Sequence, residues 1–331
     1  MNDDAENLFE VGDDGHTSDS DDDSLDVPPP LRERLCLSNE NLRSSSGRLW
    51  STNAPSAAGR RSASNICREG LFSIKADARL DSEREILRLF IGDMLNEAVH
   101  YTNVYGKRSV RQWNSVNREK RIWRTVDLAE MEAFIGLHIL AGAFKSQYRS
   151  TEELWSKKDG QPVFRATMSR ERFCALKSAL RFDDPVRRNS DDPLAPIRYV
   201  FEVFVSKLRR FVVAGPYLTV DEQLVEFHGR VRFKQYIGSK PGKFGIKIFW
   251  VCDAASGYCL NGLVYIGKNA VSEIVAANSN SVPESVVIQL CQPFLGKGQN
   301  ITADNWFTSF SLIQRLREQS TTFSGSFCFY Y

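Results

Sequence analysis

The chain has 331 residues, 42% of them hydrophobic, which is enough for at least one large core and, on size alone, for two domains. Its formal net charge of +2 conceals an asymmetry: residues 1–28 hold eleven acids and no Lys or Arg, which leaves 43 basic against 30 acidic side chains elsewhere, a balance suited to a polyanionic partner. No apolar run approaches the ~18 residues of a membrane span, the acidic start lacks the pattern of a signal peptide, and seven cysteines without a C-x-x-C pair point to reduced thiols in a soluble intracellular protein.

Residues 1–72 pass from the acidic block through Pro28-Pro29-Pro30 into a tract rich in Ser, Asn and Arg. Too few apolar side chains are present to offset the ordering entropy, so this region is expected to be a disordered tail. The serines of TSDSDDDS, at 17–24, stand among acids as phosphorylation sites do, although an unmodified solubilising tail is the favoured reading.

Residues 73–215 read as mostly helical. Ile86, Leu87, Leu89, Phe90, Met94, Leu95, Ala98 and Val99 recur at helical spacing after Asp81-Ser82, with Gly106 as the expected stop. Asp127 with Glu130 three residues on makes a capping-box-like start for an apolar helix through Phe134, Leu137 and Leu140. Ser169 caps a third helix carrying Phe173, Leu176 and Leu180. A fourth spans about 197–213, with Lys207, Arg209 and Arg210 near its end, where the macrodipole favours cations.

Residues 216–331 change period. PYLTVDEQLVEF, KFGIKIFWVCDA and YCLNGLVYIG read as three strands, the last two joined by a turn at 255–257. A helix over 282–294, a fourth strand NITAD and a helix over about 308–318 follow. A crossover helix in that order sets the first and fourth strands side by side and parallel, giving a mixed α/β fold.

That geometry brings Asp221 and Asp304 together, as a pair of carboxylates able to hold a divalent metal against a phosphodiester. Each also has an ordinary explanation: Asp221 as an exposed strand-end acid, Asp304 as the cap of the helix that follows. Glu222 points to the opposite face from Asp221, and Asp253 begins a turn for backbone reasons. Between 229 and 252 lie Arg230, Arg232, Lys234, Lys240, Lys243 and Lys247 with no acid, interleaved with Phe233, Tyr236 and Phe244. Such a hairpin neutralises phosphates while its aromatics anchor it or stack on bases; a solvated basic hairpin is the alternative. The four histidines are dispersed and form no Cys/His cluster, so no zinc site is expected.

Three segments, ELWSKKDGQPVFRATMSRERFCALKSALRFDD at 153–184, LTVDEQLVEFHGRVRFKQYIGSKPGKFGIKIFWVCD at 218–253 and ITADNWFTS at 301–309, resemble the piggyBac transposases and their domesticated relatives. With the intervening helices the resemblance covers about 80–310. It implies an RNase H-like catalytic core, preceded by an α-helical domain for dimerisation and DNA binding. It also implies a cut-and-paste reaction in which three aspartates hold two metal ions, usually Mg²⁺ or Mn²⁺, Asp221 being the first aspartate and Asp304 the second. The third belongs to a KGGVD-like motif that this sequence lacks, as it lacks the insertion before that motif, the rest of the helical domain and a cysteine-rich tail. The expectation is an incomplete RNase H-like core in a C-terminally truncated, nuclear, DNA-binding protein that holds one cation weakly and does not cleave DNA. An active transposase of which these residues are a fragment, and an interaction module using the acidic tail or the helical domain, are the alternatives. The expected partners are DNA and, through the helical domain, a second copy or a full-length relative; neither a membrane nor a small-molecule substrate is expected.

Overall fold

The structure is a computed structural model that describes residues 42–43, 49–50, 72–75, 82–146, 148–267 and 281–326. Most of the tract expected to be disordered lies outside these residues. Within it, Leu42–Arg43 (β1) and Leu49–Trp50 (β2) pair antiparallel. A composition too polar for a packed core does not forbid a two-residue ladder, which needs none.

Ser82 Oγ accepts the Glu85 N–H at 3.2 Å and opens α1 (Glu83–Val116). This helix runs through Gly106 rather than stopping there. A Cβ at 106 would overlap the Trp123 ring, so this glycine marks a close approach, not a terminus. Trp123 Nε1 donates to Asn103 Oδ1 at 3.0 Å, and Asn103 also bonds the Val126 N–H and C=O, which ties the returning segment to α1. Asp127 Oδ1 accepts the Glu130 N–H at 2.8 Å to start α2 (Leu128–Ala143). The reciprocal half of the capping box is absent, because the Glu130 carboxylate is held by both Arg172 Nε and Nη2, at 2.8 and 2.6 Å, and by Arg124.

Two short helices not expected from the sequence, α3 (Thr151–Leu154) and α4 (Pro162–Thr167), deliver Leu154 and Phe164 to the helical core. Ser169 caps α5 (Arg170–Ala179), which adds Phe173 and Leu176. The last helix of this part, α6 (Ala195–Arg210), ends before the expected position. Val212–Val213 forms a strand, β4, antiparallel to β3 (Ser73–Ile74); two consecutive β-branched residues favour that extended backbone.

The central sheet contains β5 (Tyr217–Glu226), β6 (Gln235–Tyr236), β7 (Phe244–Asp253), β8 (Cys259–Val264), β9 (Asn300–Ala303) and β10 (Thr322–Gly325). β7 is antiparallel to β5, β6 and β8, whereas β9 is parallel to β5 and β10 parallel to β9. Two helices connect this half: α7 (Val282–Cys291) between β8 and β9, and α8 (Phe310–Glu318) between β9 and β10. The strand β10, paired with β9, adds to the four strands expected from the sequence. TTFSG carries the strand at 322–325, whereas Phe327, Phe329, Tyr330 and Tyr331 lie outside the described residues.

Leu218, Val220, Phe249, Val251, Leu260, Ile301 and Ala303 pack with Val286, Val287 and Leu290 of α7 and Leu312 and Leu316 of α8 in one core. The other face is covered over β7 and β8, where Phe201 of α6 lies 6.1 Å from the Trp250 ring and Leu194, Phe233 and Val264 make a small cluster.

Candidate metal and nucleic-acid site

The register of β5 against β9 fixes the placement of the two aspartates. Leu218 pairs with Ile301, Thr219 with Thr302 and Val220 with Ala303, so Asp221 and Asp304 stand one step beyond the last pair, on strands whose backbones run about 4.8 Å apart. Leu218 and Val220 alternate inward, which turns Thr219 and Asp221 to the opposite face. Asp221 and Asp304 are both exposed. Asp221 Oδ1 accepts the Glu222 N–H at 2.7 Å.

Asp304 does not cap the following helix. Its Oδ1 accepts the Trp306 N–H at 3.1 Å in a short turn, and its C=O accepts from Thr308 Oγ1 at 2.7 Å. The cap is Ser309, whose Oγ accepts the Leu312 N–H at 3.1 Å. The carboxylate of Asp304 is thus left at the strand end rather than committed to a helix terminus.

Two exposed carboxylates in register are hard oxygen donors, a set that fits a cation such as Mg²⁺ that keeps several of its own waters. Among the described residues no group of three or more His, Cys, Asp or Glu could hold a metal ion. Glu222 is on the other face, with its carboxylate 3.2 Å from Lys240 Nζ. Asp253 is buried and spent on structure: Oδ2 accepts the Gly215 N–H at 3.0 Å, and Oδ1 accepts from Ala255 N, Ser256 N and Ser256 Oγ.

The basic residues of 229–247 divide into two groups. Arg230, Arg232 and Lys243 are exposed and form no ion pair with a described residue. The rest are engaged: Lys240 with Glu222, Lys234 with the Gly229 carbonyl at 3.3 Å, and Lys247 with its Nζ 4.7 Å above the Trp306 ring. Of the interleaved aromatics, Phe233 is 5% exposed and anchors the loop beside Leu194 and Val264. Tyr236 and Phe244, at 61% and 50% exposure, lie 4.8 Å apart on the surface.

Trp306 was not singled out from the sequence. The turn at Asp304 swings it back over Phe249, parallel at 5.5 Å, and over Lys247, so the segment after β9 is locked onto β7. An aromatic two residues beyond a strand-end Asp is the one sequence signal that could have pointed to it.

Residues 82–327 match the protein-family model described as transposase IS4. The human PiggyBac transposable element-derived protein 3 is 27% identical over 248 residues, which cover 73% of this chain and 39% of that protein. The human chimeric ERCC6-PGBD3 protein matches at the same identity over 22% of its length. A piggyBac transposase in a cryo-EM synaptic complex with hairpin DNA is similar at a TM-score of 0.68 and 30% identity, over 78% of this chain and 54% of that one. The chain thus spans less than half the length of these curated relatives. By the extent of the family match and the likeness of the fold, the chain belongs to the transposase IS4 family, with the piggyBac transposases and the proteins derived from them.

Proposed function

We propose that this chain is a DNA-binding protein with an RNase H-like core, in which Asp221 and Asp304 together hold a divalent cation, Mg²⁺ or Mn²⁺. The observation that carries the reading is the β5–β9 register, which sets the two carboxylates at one level of adjacent parallel strands. The RNase H-like reading is supported by the sequence of pairings: three antiparallel strands, then two parallel to the first, with helices in the crossovers. DNA as partner is supported by the exposed Arg230, Arg232 and Lys243 and by a structural relative described in complex with hairpin DNA. DNA binding also favours a nuclear location.

A bound cation would act as a Lewis acid toward a phosphodiester oxygen. The chain's own part is to hold that cation through two carboxylates, and to hold the DNA backbone through three cations on the hairpin that follows β5. Phosphate contacts position a duplex without reading its sequence. With two carboxylates and no third ligand among the described residues, the 331-residue chain binds DNA and does not cut it, since groups that act as a unit fail as a unit.

The test pairs two titrations of the purified chain. Mn²⁺ binding followed by calorimetry should be lost in Asp221→Asn and in Asp304→Asn alike. DNA affinity should fall with salt, and neutralising Arg230, Arg232 and Lys243 together should reduce the log–log salt slope by about 3. An unchanged slope removes the hairpin from the interface, and Mn²⁺ binding that survives both aspartate changes removes the metal assignment. A second reading, an active cut-and-paste enzyme in a longer product, is favoured by the fraction of the relatives that the chain spans. Nicking of DNA by the 331 residues alone would establish activity already in this chain. Association of two chains through the helical part is proposed on the same family grounds, and sedimentation of residues 73–331 tests it.

A further inference from the structure

Two thiols lie on the face of the sheet that carries Asp221. Cys252 of β7 is opposite Thr219 of β5, and Thr219 and Asp221 point the same way. On its other side Cys252 is opposite Cys259, the first residue of β8. The sulfurs are 3.6 Å apart, with the Cys252 S–H donated to Cys259 Sγ. The opposition is set by two features. A register shift between Val251 and Cys252 skips Leu260, so that Val251 faces Asn261 but Cys252 faces Cys259, and the turn after β7 is tied down by the Asp253 carboxylate. Directly opposed residues of an antiparallel ladder have Cα atoms about 4.5–5.5 Å apart, within the roughly 4.4–6.8 Å that disulfides span.

We propose that Cys252 and Cys259 form an oxidisable pair that closes to an intrachain disulfide when the chain meets a hydroperoxide. The direction of the S–H···S bond divides the roles. Cys259 Sγ receives the hydrogen bond and attacks a peroxide oxygen. The O–O bond breaks, Cys259 becomes a sulfenic acid, and hydroxide leaves to take up the thiol proton as water. Cys252 Sγ then attacks the Cys259 sulfur; the S–O bond breaks, the S–S bond forms, and the departing hydroxide takes the Cys252 proton as a second water. The two thiols lose two electrons and the peroxide gains them. Burial, the Cys259 contact and the nearby Asp221 charge push the Cys252 thiol up to about 12, which suits it to the second step and not the first. Of the other described cysteines, Cys174 belongs to α5 of the helical part and Cys291 is buried in the core under the opposite face.

The experiment uses the whole 331-residue chain, reduced, desalted and exposed to hydrogen peroxide while folded. It is then denatured, alkylated, digested and weighed. The expected result is joint loss of alkylation at 252 and 259, with a linked peptide lighter by two hydrogens and restored by dithiothreitol. In Cys252→Ser, Cys259 should accumulate as a sulfenic acid that dimedone captures. Full alkylation of both thiols, at a peroxide dose that oxidises the same residues in the urea-unfolded chain, would overturn the pairing. So would oxidation of each without a link, or a link from either to another cysteine. The wild-type measurement decides the matter whether or not the serine variant folds.

Discussion

Leu218, Val220 and Ile301 on one side of the central sheet, and Thr219, Asp221 and Thr302 on the other, are alternate residues of the same two strands. The first set is buried under α7 and α8 with Phe249, Val251 and Leu260. The second set looks away from that core and ends at two exposed carboxylates. A strand has one backbone and two side-chain surfaces, so a rigid core and a polar site can be a single residue apart. The packed face fixes the register, and the open face inherits its geometry from it without supplying stability of its own.

The largest effect should come from the packed face. Phe249→Ala is expected to cost about 3–5 kcal/mol and Leu218→Ala about 2–5 kcal/mol in urea unfolding, because each side chain is fully buried. A loss below ~1 kcal/mol at both would break the contrast. An intermediate effect is expected at Gly262 of β8, where a Cβ would overlap the ring of Trp250, the cross-strand neighbour of Asp221. Gly262→Ala should cost about 1–3 kcal/mol by displacing that ring, and should weaken Mn²⁺ binding at the same time. On the open face, Asp221→Asn and Asp304→Asn should each change stability by less than about 0.5 kcal/mol while removing cation binding. A large destabilisation would make them core residues instead. The smallest effect sharpens the sidedness itself. The Asp221 charge is one of the influences that hold the Cys252 thiol high, so Asp221→Asn lowers that pKa and raises the thiolate fraction at fixed pH. Iodoacetamide labelling of Cys252 near pH 9 should then quicken, by less than about threefold.

The strands of the second half were legible because period-2 alternation and turn residues coincide at 217–226, 244–253 and 259–264. The adjacency of Asp221 and Asp304 followed from one topological rule, that a strand reached through a crossover helix lies parallel to its neighbour. Local features whose meaning depends on distant partners were read less well. Gly106 looked like a helix stop, and only the Trp123 ring folded against it shows why glycine is needed. Glu130 looked like half of a capping box, but Arg172 of α5, 42 residues on, claims its carboxylate. The four residues of β10 carry little alternation of their own and become a strand by pairing with β9. In the basic hairpin, composition supplied six cations but could not separate the three exposed ones from those engaged by Glu222, Gly229 and Trp306.

The parallel pairing of β5 with β9 also sets an order of assembly. β5, β7 and β8 are joined by nearest-neighbour antiparallel contacts and can form as a meander while later residues are still emerging from the ribosome. During that interval Asp221 is a solitary acid on a growing surface, and a cation meeting the nascent chain finds a single ligand. The second arrives only when α7 has crossed over and β9 has docked, closing a loop of more than eighty residues. On the proposed reading of the two carboxylates, ion capture is therefore a late event in the life of each molecule, and its onset would report that the crossover has been completed.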